Sequence, residues 1–360
     1  MARESVLLRA VSAWRDDSEN WLAGSFDRLP ETVRVNPLRS DCDWTEGWLE
    51  GIGSERIRWF SGAGSAWTLP FERGAAEGDA KATLAALHET GRLTRQEAVS
   101  MLPVIALDAQ PGEVILDMCA SPGSKTTQIS EHLGDAGAVF ANEVVNSRVN
   151  ILVSNVQRHA SRTPIVVHHD GRHIPRVPES GFDRILVDVP CTGSGTTRKN
   201  PEVWGKWLPS GARSLHDLQV ALLSRAVTLV KPGGRVVYAT CSLDPVEDEA
   251  VVAGVLRNSE GVGMRLVSEL LPGVPGEAGR ADWPILSDDG TLAVLDLPES
   301  MLPPSEPGIA SQLPLSMRVW NDEVGGGGFF LAVLEKSEDA PARPAPEVEK
   351  IGRASCRERV

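Results

Sequence analysis

Two cysteines, Cys191 and Cys241, each follow a short apolar run and could act as nucleophiles. A thiol with pKa about 8.5 is only a few per cent ionised at neutral pH, so a site using one must favour the thiolate or supply a base. A lone cysteine at a strand end is more often a small core residue. Both thiols, however, keep company with residues of other chemistries. Asp188 closes the run that leads to Cys191, and Asp117-Met-Cys-Ala-Ser-Pro-Gly-Ser-Lys125 follows an earlier run. That loop has neither the G-x-G-x-x-G of a dinucleotide site nor a Walker lysine pattern. It still offers a turn opening a helix, where free N–H groups favour an anionic group such as a carboxylate. Glu143 ends a second run, placed to accept from both hydroxyls of a ribose. Asp170 ends a third, placed to accept from an adenine amino group. Singly, each acid reads as a cap or a solvated loop residue. Together they outline an adenosine-bearing cofactor.

The elements that must position these residues alternate from about residue 112 onward. Residues 114–119, 138–143, 165–170, 184–189 and 235–240 read as strands, with helices expected over Lys125 to Leu133, through His159, and near Ser214 to Val230. Apolar, β-branched strands alternating with helices predict an α/β fold with a parallel sheet covered on both faces. In such a sheet ligands gather at the C-terminal strand ends, where all these residues fall. Ser316 to Trp320 and Gly328 to Leu334, joined by a glycine-rich link, predict a closing antiparallel hairpin. Before residue 95 the pattern is mixed. Glu31 to Asn36 and Arg56 to Phe60 alternate polar and apolar residues and read as half-buried strands. They carry Arg34, Arg56 and Arg58, with Arg39 just beyond the first, while six of the ten tryptophans lie in this part and read mainly as core. No internal repeat is visible.

Composition narrows the classes. Of 360 residues, 41% are hydrophobic and 24% charged, as in ordinary globular proteins. No run of 18 apolar residues predicts a membrane span, and the N-terminus lacks the apolar core of a secretory signal, so a cytoplasmic, monomeric protein is expected. Cys42, Cys119, Cys191, Cys241 and Cys356 are widely and irregularly spaced, which predicts neither a disulfide framework nor a metal site. The net charge of −13 argues against general affinity for a polyanion, although a local basic surface can suffice.

The motifs in order are DMCASPGSKTTQ at 117–128, ANE at 141–143, HHD at 168–170, DVPCTGSGTTRKN at 188–200 and ATCSLDPVEDEAVV at 239–252, with LTRQEAVSMLP at 93–103 and GGGFFLAVL at 326–334. The chain thereby resembles the Sun/Nop/Fmu family of RNA cytosine-5 methyltransferases over roughly residues 30 to 335, closest to the branch that modifies tRNA. Departures are mild: Ser121 stands where alanine is usual, Thr192 where serine is common, and Glu143 where aspartate is common. The resemblance implies a Rossmann-like class I methyltransferase sheet with S-adenosylmethionine as cofactor. Its contacts would be Cys119, Ala120, Ser121, Pro122, Gly123, Ser124, Lys125, Glu143, Asp170 and Asp188. It implies that Cys241 adds to C6 of the target cytosine, that Cys191 helps the methylated RNA leave, that Asp188 contacts the base near N3, and that Lys125 orders the cluster. Arg198 and Lys199, just beyond Cys191, are candidates for RNA phosphates.

The expected organisation is therefore an N-terminal α+β RNA-facing region over 1–95, a methyltransferase domain over 96–336 and a Pro- and acid-rich linker over 337–350. Residues 351–360, IGRASCRERV, resemble the translation of a common sequencing adapter and are expected to be foreign to the fold. Three alternatives remain open at this point. In a DNA cytosine methyltransferase the Pro-Cys thiol attacks, which would make Cys191 the nucleophile. A non-catalytic RNA-binding assembly factor could retain the fold. The RNA could also be ribosomal rather than tRNA.

Overall fold

A computed structural model describes residues 2–134, 136–176 and 178–340. The expected adapter-like segment and all of the expected linker after residue 340 lie outside the described residues.

Four strands form an N-terminal sheet: β1 (Pro30–Val35), β2 (Glu55–Arg56), β3 (Ser65–Glu72) and β4 (Leu93–Arg95), in the order β2-β3-β1-β4. The β1 strand is as expected, but residues 57–60 turn instead of continuing β2. Phe60 N–H donates to Ile57 carbonyl at 3.1 Å, and only Ile57 N–H still reaches Ala66 of β3. Val33, Val35, Trp67 and Leu69 cover the core of this sheet with Leu84, Leu87 and Leu93. The helices Val6–Trp14 and Ser18–Gly24 pack elsewhere. Trp14 and Trp21 meet Trp207 and Trp204 edge-on, with ring centres 5.7 and 5.4 Å apart.

The second sheet contains β5 (Val114–Asp117), β6 (Ala138–Asn142), β7 (Pro164–Val167), β8 (Phe182–Asp188), β9 (Val230–Thr240), β10 (Val262–Arg265), β11 (Glu277–Ala278), β12 (Met317–Val319) and β13 (Phe329–Lys336). Its order is β11-β12-β13-β9-β8-β5-β6-β7, with β10 also pairing β13. The pairs among β5 to β9 are parallel, and β12 and β13 form the expected antiparallel hairpin on the edge of β9. Side chains alternate between two cores, which is why these strands read as continuously apolar. Ile185, Val187, Tyr238, Phe330 and Ala332 face the helices Pro209–Leu229 and Glu249–Arg257. Leu186, Val237, Ala239, Leu331 and Val333 face the helices Leu102–Leu107 and Ser124–Leu133.

The chain leaves β5 towards β6 and β7 on one side and returns to β8 and β9 on the other. The loop after β5 therefore sits at a topological switch point, where diverging connections leave a crevice.

Candidate active site

Three strand ends are tied together before any ligand is considered. Asn142, at the end of β6, donates through Nδ2 to the carbonyls of Met118 and His169, both at 3.0 Å, and its Oδ1 accepts from His169 N–H at 2.9 Å. Its own carbonyl accepts from Ala120 N–H at 2.8 Å. The loop then turns at Gly123, whose φ of +108° suits glycine and whose added Cβ would meet Leu152 at 3.0 Å. Ser121 and Pro122 are held from the Asn146–His159 helix: Arg148 donates to the Ser121 carbonyl at 2.7 Å and Asn155 to that of Pro122 at 2.6 Å.

The acids around this loop differ. Glu143 is 3% exposed; its Oε1 accepts from Val145 N–H at 2.8 Å and its Oε2 lies 3.5 Å from Arg148. Asp170 is more open but already engaged, because Arg172 approaches both its oxygens and holds its carboxyl down to about 2. A ligand amino group there would have to share it with Arg172. Asp117 is fully buried, and burial, opposed by a 2.6 Å hydrogen bond from Thr126, pushes its carboxyl up to about 7. Its Oδ1 has no hydrogen-bond partner among the described residues. Burial and the neighbouring Asp117 push the Cys119 thiol up, which unfits it as a nucleophile.

The two remaining thiols meet. Asp188 pairs with Ala239 in the parallel register of β8 and β9, so the loops leaving these strands start side by side. The Cys191 and Cys241 sulfurs are 3.1 Å apart. Contact with Cys241, then burial, raises the Cys191 thiol well above its ordinary value. Lys125 Nζ lies 2.8 Å from Asp188 Oδ2 and 5.8 Å from the centre of the Phe329 ring. Burial alone would lower the pKa of this lysine, but Asp188, Asp117 and Cys241 outweigh it and raise it.

A cavity of about 690 Å³ opens over this cluster, between the N-terminal sheet and the large sheet. Lys125, Asp188, Cys241 and Phe329 line it, whereas Cys191 does not. Arg73, Arg95, Arg148, Arg158 and Lys199 also line it. Glycines close one wall: Gly195 N–H donates to the Cys241 carbonyl at 3.0 Å, and Gly328 N–H donates to the Gly195 carbonyl at 2.7 Å.

The sequence profile of the family described as 16S rRNA methyltransferase RsmB/F matches residues 104–277. The multisite-specific tRNA:(cytosine-C(5))-methyltransferase of Saccharomyces cerevisiae is 41% identical over 69% of this chain, which spans 40% of the yeast protein's length. The tRNA (cytosine(49)-C(5))-methyltransferase of Pyrococcus abyssi is 35% identical over 68% of this chain and 76% of its own length. The chain belongs to this family of RNA cytosine-5 methyltransferases. A solved methyltransferase homologue from Pyrococcus horikoshii superposes with a TM-score of 0.67 at 28% identity, covering 91% of this chain and 93% of its own. The large sheet is accordingly the Rossmann-like sheet of a class I methyltransferase.

Against the family motifs, the structure brings Lys125, Asp188, Cys191 and Cys241 into one cluster and sets Glu143 beside Arg148, which also holds the loop after β5. Arg198 is placed differently from its expected role at RNA phosphates. Its guanidinium donates to the carbonyls of Asp27 (2.9 Å), Arg28 (3.1 Å), Gly326 (2.9 Å), Asn321 (3.3 Å) and Val324 (3.3 Å), so it holds two loops together. Lys199 stays half-exposed on the cavity, 3.8 Å from Glu97. Arg34, on a strand expected to be half-buried, is completely buried. Residues without an expected role also emerge. The family segment 93–103 places Gln96 and Glu97 on the cavity wall, and Glu97 accepts from Gly327 N–H at 2.7 Å. Among the described residues, no group of His, Cys, Asp or Glu is arranged to hold a metal, and no helix is long and apolar enough to cross a membrane.

Proposed function

We propose that this chain transfers a methyl group from S-adenosylmethionine to carbon 5 of cytosine in RNA, with tRNA as its substrate. The observation that carries the reading is the thiol pair at 3.1 Å, set beside the Lys125–Asp188 ion pair at the mouth of the cofactor loop. The loop fits an adenosine-bearing cofactor. Gly123 leaves a backbone cradle that a Cβ would fill, Glu143 holds a carboxylate for ribose hydroxyls, and Asp117 keeps an unpartnered oxygen behind it. S-adenosylmethionine supplies an electrophilic methyl group.

The protein's own part is to make carbon 5 nucleophilic. Cys241 lines the cavity, so its sulfur is the one that can add to C6 of an entering cytosine. Addition moves electron density to C5, which can then accept the methyl group. Transfer of the C5 proton to a base and cleavage of the S–C6 bond then restore the ring and free the Cys241 sulfur. Asp188, fixed by Lys125, is suited to hold the base near N3. Cys191 sits where it can assist product release. The target base must leave its stack to reach Cys241, and the arginines and Lys199 lining the cavity supply positive charge for the flanking phosphates. That local charge answers the acidic balance of the whole chain.

Tritium transfer from labelled S-adenosylmethionine tests the reading. Label should enter purified tRNA, and absence of incorporation across all RNA classes would overturn the assignment. The match to a family described by 16S rRNA favours a second reading, a ribosomal substrate. Bisulfite sequencing of RNA from cells expressing the chain separates the two.

A further inference from the structure

Two identical functional groups 3.1 Å apart need something to make them unequal, and the cavity accounts only for access. On the far side of the pair lies Glu247, fully buried at the start of the segment leading into the Glu249–Arg257 helix. Its Oε1 accepts from Thr192 N–H at 2.8 Å and from Gln219 Nε2 at 3.0 Å. Its Oε2 accepts from the hydroxyls of Thr192 and Ser242, the latter at 2.5 Å. Thr192 directly follows Cys191, and Ser242 directly follows Cys241. One carboxylate thus joins the two cysteine loops, with all four of its lone-pair directions filled by donors. A second link runs parallel to it: Ser194 and Ser242 hydroxyls lie 3.1 Å apart, and Ser194 Oγ accepts from Leu243 N–H at 2.7 Å.

We propose that Glu247 is a positioning residue that joins the loops of the two thiols and makes them chemically unequal, leaving Cys241 to attack and Cys191 to carry the proton. The charges are arranged for this. Cys241 is among the groups that favour the charged form of Lys125, while the Glu247 carboxylate stands behind Cys191 and disfavours an anion there. The other titratable groups around Cys191 are Cys241 itself and the buried phenol of Tyr238, whose hydroxyl donates to the Glu247 carbonyl at 2.5 Å. Asp244 and Asp248 flank Glu247 on its own segment, both with carboxyls raised mainly by burial. In the release step the Cys191 thiol can give its proton to the departing Cys241 sulfur, 3.1 Å away, as the S–C6 bond breaks, and the Cys191 thiolate so formed can accept the C5 proton, which restores the ring and leaves both sulfurs as thiols. The inference rests on the methyl-transfer reading for its consequence, but the inequality of the thiols can be measured without RNA.

Glu247→Gln is a suitable probe. The amide keeps the shape, and its NH₂ can face the two hydroxyls, which can turn to accept. Iodoacetamide alkylation of Cys191, followed by mass spectrometry as a function of pH, is compared between Cys241→Ser and Cys241→Ser/Glu247→Gln proteins. The midpoint for Cys191 should fall by about one pH unit when the charge is removed, giving roughly tenfold faster alkylation at neutral pH. Coincident profiles would overturn the proposal. Thr192→Val provides a second arm should the Glu247→Gln protein not fold: it removes one hydroxyl donor and leaves the charge. Its turnover on purified tRNA should drop about tenfold with KM little changed, and Thr192→Ser should recover most of the loss. Wild-type turnover in Thr192→Val would overturn the positioning role. If the wild-type chain methylates no RNA, the reading of the function fails, while the alkylation profiles still decide the role of Glu247.

Discussion

The sulfurs of Cys191 and Cys241 are 3.1 Å apart although the residues are 50 positions apart in the chain. The parallel register of β8 and β9 creates this contact, and only Cys241 opens onto the cavity. Attack by Cys241 and release assisted by Cys191 make opposite predictions for their removal. Cys191→Ala should accumulate a covalent protein–RNA adduct that survives a denaturing gel. Cys241→Ala should form none and should lose methyl transfer by several orders of magnitude. An adduct formed by Cys241→Ala and absent from Cys191→Ala would reverse the two roles.

Arg34 joins the N-terminal sheet to the Ser124–Leu133 helix. It is fully buried, donates to Thr127 Oγ1 and Glu131 Oε1 at 3.1 Å, and also contacts Gln96 and Glu131 Oε2. Glu131 lies on the helix that begins with Ser124 and Lys125, so the N-terminal sheet is fastened to the element that presents Lys125 to Asp188. Arg34→Met should leave the Glu131 carboxyl buried without its guanidinium partner, with His159 Nε2 still 2.9 Å away. The expected cost is about 3–5 kcal/mol of unfolding free energy, as for other broken buried pairs. Arg34→Met/Glu131→Leu should regain much of it. Urea denaturation measures both, and a loss below about 1 kcal/mol in the single variant would mean the pair is not stabilising.

How far these relationships were legible depends on where each partner lies. The strands β5 to β9 are apolar on both faces because helices cover both, and that pattern is local to each strand. The acids and thiols stand at strand ends, which a parallel α/β order assigns to one edge. Arg34 shows the opposite case. Alternation along β1 correctly turns Val33 and Val35 into one core, yet the face carrying Arg34 is covered by a helix almost a hundred residues later. Arg198 was illegible for a related reason, since all its acceptors are backbone carbonyls, which leave no mark in residue types. β3 includes Pro70, which cannot donate to a ladder and weakens the strand signal. Thr192 and Glu247 lie within the quoted motifs, but only the fold shows that one holds the other.

Arg198 and Lys199 are adjacent and should respond differently to substitution. Replacing Arg198 by Lys removes most of a fork that reaches five carbonyls, so stability should fall by about 2 kcal/mol as the 321–326 segment loosens. The salt dependence of RNA binding should be unaffected. Lys199→Ala should instead leave stability within about 0.5 kcal/mol and reduce the slope of log affinity against log salt by about one. Filter binding of purified tRNA over a salt series measures the slope. A changed slope in Arg198→Lys and none in Lys199→Ala would exchange their roles.

Asp117 gives the clearest dependence on pH. Burial, partly offset by the Thr126 hydrogen bond and reinforced by Asp188, moves its carboxyl from an ordinary 3.8 to about 7 in the folded protein. Below 3.8 both folded and unfolded chains hold this proton. Between the two values the folded chain retains it and the unfolded chain does not, so stability from this group falls as pH rises through that window. Above about 7 both are ionised and the loss is complete, amounting to a few kcal/mol at about 1.4 kcal/mol per unit. Asp244, raised to about 7 by burial and Glu247, adds a fall of the same sign. Asp117→Asn cannot ionise, while Asp244 is common to both proteins. The stability of Asp117→Asn relative to wild type should therefore rise between about pH 4 and pH 7 and level off above. Paired urea titrations across that range measure the difference, and a difference independent of pH would show that Asp117 ionises normally despite its burial.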